Sequence, residues 1–136
     1  MPEQTALDLE SPADARERAL AGWRADPLGQ FAAWRRATTA SNGYAYSDRS
    51  LAQHQAMWGH FVESMAAAGR HPLDADAGRI ERFLLGLRGI RRKDRTRATR
   101  PPSDAASTIT LRRYLQLLAD TYEQLGRLGV VADNPV

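Results

Sequence analysis

Between Ser47 and Gly69 the apolar residues Leu51, Trp58, Phe61, Val62 and Met65 fall at a spacing that gathers them on one stripe of a helix. Ser47 suits the cap of that helix, Asp48 suits its positive first turn, and Gly69 ends it. Such a stripe has to be buried against another layer, and the rest of the chain offers no sheet to bury it against. Almost no run alternates apolar and polar residues as a half-buried strand does. The expectation is an all-α protein, a compact bundle of four to five helices.

The other helices read from similar signals. Ser11 and Pro12 open a first one through Ala15, Ala19, Leu20 and Trp23, and Pro27 stops it. Leu28, Phe31, Ala32 and Trp34 carry a second, which fades through Thr38 and Thr39 into the turn pair Asn42-Gly43. Ile80, Phe83, Leu84 and Leu87 mark a fourth, expected to close near Gly89. A last helix is expected from a Ser107 or Thr108 cap, with Leu111, Tyr114, Leu115, Leu118, Tyr122 and Leu125 inward and an end near Gly126 or Gly129. The organisation expected is a loose tail over 1–10, an N-terminal helical extension over 11–40, and a domain over 44–136 interrupted by a basic loop at 88–104.

Charge is concentrated around that loop. Residues 88–100 hold seven of the nineteen basic residues and one acid. Over the wider stretch 79–113 there are eleven basic residues against three acids, net +8, while the remainder has eight against thirteen, net −5. A duplex presents about one negative charge per ~1.7 Å of axis, so a cluster of this kind is a footprint for nucleic acid, with a solvated loop as the alternative. Eighteen of the nineteen cations are Arg, a bias that a GC-rich genome also produces.

For chemistry the inventory is thin. There is no cysteine, and His54, His60 and His71 lack the i, i+4 spacing that would put two ligands on one helical face, so surface roles are expected for them. No catalytic residue, metal or other cofactor is expected. No apolar run approaches the ~20 residues needed to span a bilayer, and the acidic N-terminus is no export signal, so the expectation is a cytoplasmic protein without a membrane partner.

Three segments, YAYSDRSLAQHQAMWGHFVESMAAAG, DADAGRIERFLLGLRG and STITLRRYLQLLADTYEQLGRLGVVADNPV, resemble in their order and spacing the N-terminal core-binding (SAM-like) domain of tyrosine recombinases, the phage integrase family. The resemblance covers roughly residues 44–136. It rests on the Ser47 start, the Trp58 and Phe61 pair, the Phe83-Leu84 pair, the Ser107-Thr108 opening, Arg112-Arg113, Tyr122 and the Asn134-Pro135 exit. The long charged loop and the residues 11–40 depart from the family pattern. The resemblance implies a domain that clamps double-stranded DNA at a recombination site, with self-association on DNA, while a separate C-terminal catalytic domain, absent from this chain, breaks and rejoins the strand.

On that reading the last helix offers Ser107, Thr108 and Thr110 to a phosphate and Arg112, Arg113 and Gln116 to a groove. The third helix offers Ser47, Arg49, Ser50 and His54, with Tyr46 and Gln53 beside them; Arg79 and Arg82 extend the basic surface. Arg91, Arg92, Lys93, Arg95, Arg97 and Arg100 grip the backbone without regard to sequence. The competing reading is a helical protein-interaction or oligomerisation module in which Trp23, Phe31 and Trp34 form an apolar docking surface.

Overall fold

The computed structural model describes residues 10–40, 42–97 and 104–136; within 88–97 and 104–107 the backbone alone is described. Five helices follow in order: α1 Pro12–Ala25, α2 Pro27–Ala37, α3 Asp48–Ala67, α4 Ala77–Arg97 and α5 Asp104–Arg127, with a 3₁₀ turn Pro72–Asp74 before α4. Among the described residues the one departure from helix and coil is an isolated bridge between Thr39 and Ala45. The fold is an all-α bundle.

Capping explains where the first helices begin. Ser11 Oγ accepts the Asp14 N–H at 3.1 Å, Asp26 Oδ1 accepts that of Gly29 at 2.9 Å, and Ser47 Oγ accepts that of Ser50 at 3.1 Å. Each satisfies an N–H that a helix start leaves unpaired. At the far end of α3, Gly69 adopts φ 70°, and the N–H groups of Gly69 and Arg70 return to the carbonyls of Ala66 and Met65, both at 2.9 Å. That paired closure needs the left-handed conformation glycine reaches without steric cost. Gly129 does the same after α5, with φ 74°.

Two boundaries differ from the sequence expectation. Helix α4 continues through Gly86 and Gly89 to Arg97, so the residues expected as a basic loop from 88 are, as far as 97, helical backbone. Each interior glycine costs about 1 kcal/mol relative to alanine, which weakens a helix without ending it. Beyond Gly89 the run is mostly arginine and lysine, good helix formers, and proline comes only at Pro101. Helix α5 starts at Asp104, a turn earlier than expected, because Ala105 and Ala106 propagate helix better than any other residue. Ser107 and Thr108 therefore lie inside the helix and not at its start.

The core is aromatic. Trp23, Phe31, Trp58, Phe61, Met65, Ile80, Phe83, Leu117, Leu118, Tyr122 and Leu125 are all buried in one cluster. Trp58 lies at its middle, stacked on Phe31 with ring centroids 5.2 Å apart, edge-on to Trp23 at 6.3 Å and to Tyr122 at 6.4 Å, and tilted against Phe61 at 5.5 Å. Its indole N–H donates to the Pro27 carbonyl at 3.0 Å. Helices α1 and α2 thus pack into the same core as α3, α4 and α5, and Trp23 and Phe31, at 2% and 0% exposure, present no docking surface. On α5, Leu118, Tyr122 and Leu125 are buried as expected and Leu117 joins them, whereas Leu115 is 42% exposed. On α2, Leu28 faces outward and Arg35 is buried in its place among the inward positions.

Replacing Trp58 with alanine is expected to cost about 3–5 kcal/mol, read as a lower urea midpoint. Deleting residues 1–40 removes Trp23, Phe31 and the Pro27 acceptor together, so the remainder is expected to lose its cooperative unfolding transition in calorimetry.

Candidate nucleic-acid interface

A groove of about 980 Å³ runs between the end of α2, the flank of α3 and the length of α5. Four of the sequence-predicted residues, His54, Thr110, Arg113 and Gln116, line it, and Tyr46 and Gln53 join them. Arg112 is exposed on α5 outside this lining, and Ser47, Arg49 and Ser50 sit at the start of α3. Ser47 is occupied as a cap: besides the Ser50 N–H, its hydroxyl donates to Ser50 Oγ at 3.1 Å. Arg82 is exposed, whereas Arg79 is half-buried with its Nε enclosed and without a hydrogen-bond partner.

The phosphate site expected near Ser107 to Thr110 is not where the chain places a free helix terminus. With α5 beginning at Asp104, the N–H groups of Thr108 to Thr110 are placed to bond to carbonyls one turn back, and the helix terminus lies at Asp104. Arg91, Arg92, Lys93, Arg95 and Arg97 follow one another on the helical backbone of α4, not on a loop. With Arg88 they fall within about 14 Å of helix axis. Arg100 lies outside the described residues.

Sequence reasoning passed over the groove's central cation. Arg35 was masked by its place in the apolar run of α2, yet its side chain is only 6% exposed and faces groove-lining partners from three directions. Its Nε donates to His54 Nδ1 at 3.1 Å, and its Nη2 stands 3.5 Å from Asp120 Oδ2. The guanidinium carbon lies 4.8 Å from the ring centre of Tyr46 and 5.1 Å from that of Trp34. Tyr46 also meets His54 edge-on at 4.9 Å. Pairing of this kind is what permits a charge to be enclosed at all. The only hint in the sequence is that position 35 falls one turn after Phe31, on the face that α2 turns inward.

The groove's carboxylates are likewise engaged. Asp120 accepts from the Gln116 amide at 2.8 Å as well as facing Arg35, and Glu123 accepts from Arg127 at 2.9 Å. Of the histidines expected at the surface, His60 is exposed and His54 and His71 are half-buried, and each has a hydrogen-bond partner. His60 Nδ1 lies 3.1 Å from the Tyr114 hydroxyl, His71 accepts the Leu73 N–H at Nδ1 and meets the Arg24 carbonyl through Nε2 at 3.0 Å, and His54 holds Arg35. Tyr122 is enclosed and donates to the Pro72 carbonyl, and burial raises its phenol far above the usual range. It is a core residue.

No family model matches the chain, and neither a curated protein nor a solved structure matches it. No helix among the described residues is long and apolar enough to cross a membrane.

Burial, and after it the nearby Arg35 charge, hold the His54 imidazole below its ordinary value, with Asp120 opposing. The folded protein therefore binds fewer protons at this site than the unfolded chain. The resulting stability is complete above about pH 6.5 and is lost as pH falls through the lower folded value. Urea midpoints measured between pH 7.5 and 5 should fall in the wild type, and by less in His54→Asn, which has no proton to gain.

Proposed function

We propose that this chain is a duplex-DNA-binding domain of the tyrosine-recombinase kind, gripping a recombination site while a separate catalytic domain performs strand exchange. The observation that carries the reading is the segregation of charge: net +8 over residues 79–113 in a chain whose remainder is net −5. Its physical form adds to it. Six cations of α4 ride on continuous helical backbone within about 14 Å, against one acid, Asp94, so they do not have to be ordered from a free loop before meeting phosphates.

The groove wall fits a polyanion for a second reason. A carboxylate facing phosphates repels them, but Asp120 and Glu123 face Arg35 and Arg127. What the neighbouring surfaces add is cationic and polar: Arg49 on α3, and Arg112, Arg113 and Gln116 on α5, all exposed. In this division α4 holds the backbone and the α3 and α5 side chains address the bases. The order of the Ser47 cap, the aromatic pairs and the Asn-Pro exit supports the family assignment within the DNA-binding class. Binding alone is the role proposed, in the cytoplasm, for a bacterial or phage-encoded chain.

Fluorescence anisotropy on labelled duplex tests this. Micromolar or tighter binding at low salt is expected, with a log–log salt dependence whose slope drops by about 1 when Arg91 or Arg92 becomes glutamine, equally for all sequences. Arg113→Ala is expected to cost about 1–3 kcal/mol and to alter sequence preference. Absence of binding at micromolar protein in low salt would overturn the proposal.

A further inference from the structure

Arg35 is the one charged residue in the buried set among the described residues. Its contacts join four parts of the molecule: α2, which bears it; the connection to α3, through Tyr46; α3, through His54; and α5, through Asp120. An imidazole nitrogen accepts a hydrogen bond only when it carries no proton. The 3.1 Å contact from Arg35 Nε to His54 Nδ1 therefore requires neutral His54 with its proton on Nε2. Arg35 and the histidine proton are alternative occupants of the same lone pair.

We propose that Arg35, His54 and Asp120 form a proton-operated clasp on the groove. With His54 neutral, Nδ1 keeps the guanidinium between Trp34 and Tyr46 and holds α2 to α3 and α5. A proton taken from solvent onto Nδ1 removes the acceptor and sets two cations 3.1 Å apart, and the guanidinium leaves for solvent. The Asp120 contact, at 3.5 Å, is too long to retain it as a close ion pair would.

The charged surroundings fit a reversible device. From α2 the imidazole faces Arg35, from the connection Tyr46, and from α5 Asp120; Arg113, Glu123 and Arg127 line the groove further along α5, the last two paired with each other at 2.9 Å. Arg35 and burial oppose the proton and Asp120 favours it. The core aromatics beneath, centred on Trp58, carry no charge that the proton would disturb, so opening is confined to the groove wall.

Heteronuclear NMR on the full chain from pH 8 to 5 tests the clasp without any ligand. A protected Arg35 Nε–H resonance is expected at pH 8 and should disappear with the same midpoint as the His54 ring shifts, below the free-histidine value of about 6.5. Backbone amides of Trp58 and Phe61 should persist through that change. In His54→Asn, whose side-chain oxygen offers an acceptor that does not titrate, the Arg35 signal should survive to pH 5. An Arg35 Nε–H that outlasts His54 protonation in the wild type would overturn the proposal, as would a His54 midpoint at or above 6.5. So would loss of the core amides at the same midpoint, which would make the event unfolding and not opening. If His54→Asn does not fold, the wild-type titration alone decides.

Discussion

Every helix of this protein is answerable to the indole of Trp58. Fully enclosed, it is stacked on α2 through Phe31 and edge-on to α1 through Trp23 and to α5 through Tyr122, while Phe61 passes the contact on to Phe83 of α4 at 5.1 Å. A buried indole also needs an acceptor for its N–H. The Pro27 carbonyl supplies one at the tight junction of α1 and α2, which proline and the Asp26 cap together hold in place. One side chain thereby sets both the packing of the bundle and the angle at which its first two helices enter.

Much of this was legible before any coordinates. The caps at Ser11 and Ser47 and the inward residues of α3 are local signals: a hydroxyl three residues before an unpaired N–H, and aromatics at helical spacing. Less legible was the end of α4, because glycines resemble stops when read alone, whereas a helix ends only when the following residues prefer something else. The start of α5 was misplaced for the converse reason. Ser107 and Thr108 are good caps in isolation, but two alanines before them made extension more favourable than capping.

The groove shows what local reading cannot reach. Arg35, His54 and Asp120 are separated along the chain, and nothing about an arginine in an apolar run announces that Trp34 and Tyr46 will enclose it. Burial of a charge is decided by tertiary partners. The same partners change the meaning of His54, which by composition is a surface residue and by position is the acceptor that keeps Arg35 inside. Arg113 and Gln116 lie on the exposed face that periodicity alone assigns to them, whereas Thr110 was read from a helix start that the chain puts at Asp104.

The Trp58 contacts also impose an order on biosynthesis. Trp23, Phe31 and Phe61 are made close to Trp58 in the chain, but Tyr122 follows by about 60 residues, a delay of roughly 3–13 s at ~5–20 residues per second of translation. For that interval the first three helices hold an aromatic surface with one wall missing, and only the emergence of α5 closes it. A nascent chain of this design therefore keeps the Trp58 cluster open on its α5 side until the last helix arrives.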